Sequence, residues 1–138
     1  WAVRGNADGL KENLAATHAM LTNVTEGTSK ILFVHCNAGC DRTGEFVGSY
    51  MMTYLGYNAT TAMEEDCRQC GRCPNFYATE SMGWWCLTLE QLYNRTDVGP
   101  CLDFAGCKYL GDCKAHNPTK PSNVCPTEPL DPARATQL

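Results

Sequence analysis

Apolar residues recur at helical spacing in four segments of the chain. Positions three and four residues apart lie on one face of a helix, so this pattern predicts amphipathic helices over 10–22, 42–55, 59–70 and 78–93. Asp8 stands where the N-cap of the first helix is expected. The side chains expected to face inward are Leu10, Leu14, His18 and Leu21, then Phe46, Val47, Tyr50, Met51 and Tyr54, then Ala62, Met63 and Cys67, and finally Met82, Trp85, Cys86, Leu89, Leu92 and Tyr93.

A different pattern precedes the second helix. Residues 31–35, Ile-Leu-Phe-Val-His, form a continuous apolar run rich in strand formers, which predicts a buried strand. Such a strand cannot bury both faces without neighbouring strands. The polar residues 23–30 before it, which include Gly27, predict a loop.

The character of the chain changes once more after Asn94. Residues 96–138 hold six prolines, four cysteines and little periodicity. We therefore expect two regions, a folded domain over 1–95 and a Cys/Pro-rich extension over 96–138 that depends on disulfides for order.

Cysteine is the compositional outlier, with ten among 138 residues. That share is near the level of disulfide-stapled secreted chains. Without Cys36 and Cys40 eight remain, an even number that suits a disulfide framework whose connectivity sequence cannot decide. The net charge is −4 and no Lys/Arg run occurs, which argues against nucleic acid or a polybasic membrane patch as partner.

Three N-glycosylation acceptors point to the same compartment as the cysteines. They begin at Asn23, Asn58 and Asn94, all at the ends of predicted helices. Together these features predict a secreted, extracellular or lumenal protein. Because the chain begins with Trp1 rather than Met, we expect it to be a piece of a longer precursor.

The segment from His35 to Gly44 has the composition of a phosphate-binding loop. A phosphate monoester carries charge on several oxygens, which backbone N–H groups and a helix N-terminus can bind. Gly39 and Gly44 allow the backbone to curl, and Arg42 can fork onto two phosphate oxygens. The residues expected to bind phosphate are Asn37, Ala38, Gly39, Cys40, Asp41, Arg42 and Gly44.

Cys36 is the candidate nucleophile of this loop. The positive field of the following helix and of Arg42 is expected to lower its pKa, and the thiolate would then form a cysteinyl-phosphate that water hydrolyses. His35 could orient or acidify the thiol. Thr43 could hydrogen-bond the sulfur and assist its departure in the second step.

The motif His-Cys-x-Ala-Gly-x-x-Arg-Thr-Gly, residues 35–44, resembles the signature of the protein tyrosine phosphatase superfamily, above all its dual-specificity and lipid-phosphatase branches. The resemblance, looser as far as Tyr93, implies an α/β fold in which 1–95 is the C-terminal part of a phosphatase domain with a central sheet flanked by helices. It implies Cys36 as nucleophile, Arg42 as phosphate clamp and no metal or other cofactor. Most of that sheet precedes the cysteine in the family, so a second chain or fragment is expected to complete the domain.

Asp41 directly precedes Arg42, an arrangement similar to that of myotubularin-type phosphatases and of secreted bacterial phosphatases acting on phosphotyrosine and phosphoinositides. That likeness implies Asp41 as general acid. Asp8 is the other candidate acid, because the usual acid of the superfamily lies upstream of the active-site strand. The alternatives are a helix N-cap for Asp8 and a loop-bracing carboxylate for Asp41.

Two hypotheses of function follow. The first is hydrolysis of phosphate monoesters on a phosphorylated protein, at tyrosine or at serine and threonine, or on an inositol lipid. Asn37 and Cys40 stand where phosphoinositide-directed loops often have Lys, which weakens the lipid alternative. The second is an inactive phosphatase-like domain that serves as a structural or phosphate-binding module in an extracellular assembly.

The remaining cysteines leave two alternatives open. Cys40 could form a reversible disulfide with Cys36, or it is a plain loop thiol or a structural disulfide partner. Cys67, Cys70 and Cys73 fit disulfides better than a metal site, because zinc sites usually need two paired clusters.

Overall fold

The computed structural model describes residues 9–23 and 28–101. Within these ranges the chain forms four helices, α1 (Leu10–Thr22), α2 (Asp41–Tyr54), α3 (Ala59–Cys70) and α4 (Phe76–Leu92). Helix α2 packs against each of the other three, and α3 also contacts α4. The candidate phosphate loop therefore leads directly into the central helix of the bundle.

The helix ends follow local capping chemistry. The side chain of Asn58 accepts a hydrogen bond from the Thr61 N–H at 2.9 Å and starts α3. Asn75 does the same for α4 through the Ala78 N–H at 3.0 Å. Gly71 ends α3 in the left-handed conformation. These caps place α3 at its predicted bounds and start α4 two residues before the predicted position.

The N-cap of α1 is Gly9 rather than the predicted Asp8. Gly9 has φ 72 and makes no side-chain cap, and α1 has the predicted bounds. Asp8 lies outside the described residues, so its predicted role as general acid stays a prediction.

The predicted α/β fold class is wrong for the part of the chain that the structure describes. It is helical, and residues 31–36 form no strand and join no sheet. Ile31 is 95% exposed and Phe33 82% exposed, whereas Leu32 and Val34 line a cavity between α1 and α2. The segment has no neighbouring strand in the described fold to bond its backbone, so its apolar pattern does not produce a buried strand.

The most buried face of α2 consists mainly of small residues. Its buried residues are Gly44, Gly48, Ser49 and Met52, whereas the predicted inward set, Phe46, Val47, Tyr50, Met51 and Tyr54, is half-buried. A β-carbon at Gly48 would overlap the Met82 side chain of α4. Glycine at this position therefore lets α4 approach α2 more closely than a larger residue would.

The other predicted faces agree with the structure apart from the end of α4. Leu92 is 78% exposed and Tyr93 46% exposed. His18 stacks on Tyr54 with ring centroids 3.9 Å apart and hydrogen-bonds the Tyr50 hydroxyl at 3.1 Å. The predicted inward residues that the structure buries are Leu14, Ala62, Cys67, Met82, Trp85, Cys86 and Leu89.

Disulfides join the helices to their connections. The pairs are Cys40–Cys70, Cys67–Cys73 and Cys86–Cys101. They confirm disulfides for the 67–73 cluster and indicate an oxidising environment. None of the helices in the described ranges is both long and apolar enough to cross a membrane.

The third disulfide holds the first residues of the expected extension against the helices. Cys101 is buried and bonded to Cys86, and Val98 is fully buried beside them. Val98 and Cys101 thus pack on the helical core, and the rest of the extension, with Cys107, Cys113 and Cys125, lies outside the described residues.

Candidate active site

Cys36 lies where the apolar segment meets the loop that leads into α2. Residues 37–40 form a bend, and Gly39 adopts φ 72, a conformation that favours glycine. Asn37, Ala38 and Gly39 are exposed, and Cys36 is half-buried. The loop is therefore curved and open to solvent, as an anion-binding loop requires.

Cys36 is the free cysteine of the described residues. The Thr43 hydroxyl first, and then the backbone N–H groups of Thr43, Ala38 and Gly39, together lower the pKa of its thiol from 9.0 to about 6. Thr43 Oγ1 is buried and has no hydrogen-bond partner among the described residues, so its proton is available to the sulfur. A thiolate therefore predominates at neutral pH.

Helix α2 starts at Asp41 and presents its N-terminus to the loop. The Gly44 N–H donates to the Cys40 carbonyl at 2.9 Å, which is the first hydrogen bond of the helical pattern. The N–H groups of the three residues before Gly44 therefore have no acceptor within the helix. These groups and the helix dipole favour a negative charge beside Cys36.

Arg42 and His35 lie on either side of Cys36 in the chain, and both are exposed. Arg42 takes no part in the ion pairs found within 9–23 and 28–101, so its guanidinium is open to a phosphate group. The His35 ring stacks on Phe33 with centroids 5.4 Å apart. The groups that lower the pKa of Cys36 belong instead to Thr43 and to the loop backbone.

Cys40 is buried and bonded to Cys70, with Cα atoms 5.4 Å apart. Of the alternatives for Cys40, the structure thus supports a structural disulfide partner. The thiol of Cys36 stays free. The expected framework of eight cysteines without the loop pair is wrong in this respect, because a loop cysteine takes part in it.

Asp41 is bound on both carboxylate oxygens. Arg72 donates to Oδ1 and Oδ2 at 2.9 Å each, and the Asn75 N–H donates to Oδ1 at 2.8 Å. The Arg72 guanidinium holds the pKa of Asp41 below its usual range. Because a general acid needs a proton near neutral pH, this geometry fits the loop-bracing alternative better than the acid role.

The sequence analysis missed Asp66, a carboxylate on the inward face of α3. Asp66 is 7% exposed, and its Oδ2 bonds no partner within the described residues. Burial first, and then the Glu65 charge, raise its pKa to about 7. The available signal was an acid within the apolar stripe that Ala62 and Cys67 mark. Arg72 was missed as well, because it lies in the connection between α3 and α4, where no periodic pattern applies.

The glycosylation acceptors differ in accessibility. Asn94 is exposed, follows the C-cap residue of α4, and has φ 54. Asn23 is exposed at the end of α1. Asn58 is half-buried, and its Oδ1 is engaged as the cap of α3. The exposed pair suits a bulky glycan better than Asn58 does.

Comparisons of the chain with protein-family models, with curated proteins and with solved structures find no match. The resemblance of residues 35–44 to the phosphatase signature therefore stays a prediction, and the geometry of the loop is what supports a function.

Proposed function

We propose that the protein is a cysteine-dependent phosphatase that hydrolyses phosphate monoesters through a cysteinyl-phosphate intermediate. The observation that carries the proposal is the free Cys36 thiol with a pKa of about 6, at the start of a curved loop that ends in the N-terminus of α2. Such a thiolate is reactive and lies beside an electropositive helix end.

The reaction follows from the groups around the sulfur. The Cys36 thiolate attacks phosphorus to form the S–P bond as the ester P–O bond breaks, and the leaving alkoxide or phenoxide takes its proton from water. Loop N–H groups and the Arg42 guanidinium stabilise the equatorial oxygens, where charge accumulates. Water then attacks the cysteinyl-phosphate, and the Thr43 hydroxyl stabilises the departing thiolate.

The substrate is a phosphorylated protein or an inositol lipid. Within the described residues the loop side chains supply one cation, Arg42, since the Arg72 charge is paired with Asp41. One free guanidinium suits a single phosphate group better than a multiply phosphorylated inositol ring.

The second candidate function is an inactive phosphatase-like module that binds phosphate in an extracellular assembly. The observation that favours it concerns two carboxylates beside the start of α2, Asp41 and Asp66. Asp41 is tied to Arg72, and Asp66 is buried beneath α2, so neither has a proton exposed toward a leaving group. Binding of an anion would need no such proton.

Turnover of an aryl phosphate by the full, disulfide-bonded chain separates the two candidates. The phosphatase proposal expects vanadate-sensitive release of phosphate, which Cys36→Ser abolishes. Arg42→Met should weaken both turnover and phosphate binding, whereas Arg68→Met, which removes a cation paired with Glu65 on α3, is the matched control. Phosphate binding without turnover in the wild type would instead support the binding module.

Secretion and glycosylation are part of the same proposal. The three disulfides and the exposed Asn23 and Asn94 support it. Expression through a eukaryotic secretory pathway should give a glycoprotein whose gel mobility increases after endoglycosidase treatment. Asn94→Gln should lower the apparent mass of the untreated protein by that of one glycan. An unchanged mobility of the wild type after endoglycosidase treatment would overturn the glycosylation proposal.

A further inference from the structure

We propose that Arg72 is a positioning residue of the phosphate loop and that it acts through Asp41, which is a brace rather than the general acid. The inference rests on the proposed function, because it concerns the geometry of the same loop. It assigns a role to the connection between α3 and α4, which neither the motif nor its resemblance includes.

The bond between Arg72 and Asp41 is bidentate. Nη1 lies 2.9 Å from Oδ1 and Nη2 lies 2.9 Å from Oδ2, and the two residues are 31 positions apart in the chain. A planar fork of this kind fixes orientation as well as distance. Nη1 also donates to the Cys73 carbonyl at 2.9 Å, which fixes the arginine to its own connection.

The brace acts on the first residue of α2. Asp41 starts that helix, and the next two residues are Arg42 and Thr43, which provide the phosphate clamp and the hydroxyl beside Cys36. A rotation of Asp41 would move both groups relative to the sulfur. The Asn75 N–H adds a third bond to Asp41 at 2.8 Å, so the carboxylate is held from two residues of one connection.

The ion pair also cancels a charge that would harm the site. An unpaired Asp41 carboxylate would add a negative charge at the start of α2, five residues after the Cys36 thiolate and within the loop proposed to bind the phosphate dianion. Like charges at this range oppose both anions, whereas the Arg72 guanidinium neutralises the carboxylate. The pair is partly exposed, with side-chain exposures of 38% for Arg72 and 26% for Asp41. Its effect on the loop therefore rests on geometry and charge cancellation more than on stability.

The experiment measures kcat/KM for two substrates and the pH titration of the Cys36 thiol in the full chain. Phenyl phosphate has a strongly basic leaving group that needs a proton, whereas p-nitrophenyl phosphate has a weakly basic one that does not. Arg72→Met should lower kcat/KM about tenfold to a hundredfold, equally for both substrates, because it misplaces the loop. It should also raise the pH midpoint of iodoacetamide alkylation at Cys36.

Variants at Asp41 and on α3 complete the test. Asp41→Asn, which still accepts the Asn75 N–H, should reduce turnover of both substrates by the same factor. A loss confined to phenyl phosphate would identify Asp41 as the acid and overturn the proposal. Arg68→Met is the control, and an Arg72→Met variant that behaves like it would also overturn the proposal.

Two further outcomes are distinguishable. If Arg72→Met does not fold, Arg72→Lys replaces it in the experiment. Because lysine has a single ammonium group, its effects on kcat/KM and on the alkylation midpoint should have the same direction but be smaller. Wild-type values of both quantities in Arg72→Lys would overturn the positioning role. If the wild type turns over neither substrate, the phosphatase proposal fails. The alkylation midpoint then decides the positioning role on its own.

Discussion

A carboxylate oxygen of Asp66 lies 2.9 Å from the point at which a β-carbon on Gly44 would stand. Gly44 is the last residue of the phosphate-loop motif, and Asp66 is on the buried face of α3. The loop therefore rests on a carboxylic group that the active-site motif does not include. Substitutions on both sides of this contact test its effect.

Gly44→Ala should destabilise the fold. The added methyl group would meet Asp66 Oδ2 and Pro74 Cγ, both at 2.9 Å, and the Pro74 ring cannot move aside easily. Overpacking of this kind costs about 1–3 kcal/mol. Urea denaturation measures the free energy of unfolding, and a value equal to that of the wild type would show that the contact is looser than described.

Asp66→Asn should change the pH dependence of stability. The pKa of Asp66 rises on folding from 3.8 to about 7, so between these values the native state binds more protons than the unfolded state. The free energy of unfolding therefore falls as pH rises from about 4 to about 7, by up to roughly 4 kcal/mol. The amide that replaces the carboxyl group cannot ionise, and the variant should lose this decline.

The measurement for Asp66 is the unfolding midpoint at pH 5 and at pH 8. Glu65, the other acid of that pair, is bonded to Arg68 and Gln69, so Glu65→Gln is the matched control. That control should keep most of the decline, because burial is the larger cause of the raised pKa of Asp66. A wild-type stability that does not fall over this pH range would refute the interpretation.

Thr43→Val should raise the pKa of Cys36. The side chains have similar shapes, but valine lacks the hydroxyl that is the largest cause of the lowered thiol pKa. The pH midpoint of iodoacetamide alkylation, expected near 6 in the wild type, should move toward 9. Thr43→Ser keeps the hydroxyl and should retain a low midpoint. Equal midpoints in all three proteins would exclude Thr43 as the activating group.

The disulfide Cys40–Cys70 should matter for both stability and the loop. It closes 30 residues, so replacing both cysteines by alanine should cost about 3–4 kcal/mol. It should also raise the alkylation midpoint of Cys36, because Cys40 is the N-cap of α2. The matched control replaces Cys86 and Cys101, which should cost about 3 kcal/mol and leave the midpoint unchanged. Equal alkylation midpoints of Cys36 in the two double variants would show that the Cys40–Cys70 disulfide has no specific effect on the loop.

The helices could be predicted from the sequence because their apolar spacing is long and regular. The bounds of α1 and α3 agree with the structure, and those of α2 and α4 differ by one or two residues. The conformation of residues 31–35 could not be predicted from apolar spacing, because a short continuous apolar run indicates burial but does not show which elements cover it. In the described fold Ile31 and Phe33 are exposed.

The candidate site was predictable only as far as its local motif. Cys36 and Thr43 lie seven residues apart, and the loop geometry that brings them together follows from glycine positions and the helix start. Arg72 and Cys70 contact the loop from about thirty residues away, through a connection whose position depends on the packing of α3. Cysteine counts do not determine such pairings.

Mass spectrometry of the acid-quenched protein tests the central claim most directly. The full chain is mixed with excess p-nitrophenyl phosphate, quenched within the first turnovers and digested. The proposal predicts a peptide in which Cys36 carries one phosphoryl group, and it predicts that Cys36→Ser forms no such adduct. Turnover that proceeds at the wild-type rate in Cys36→Ser, or with the phosphoryl group on another residue, would contradict the assignment of Cys36 as nucleophile.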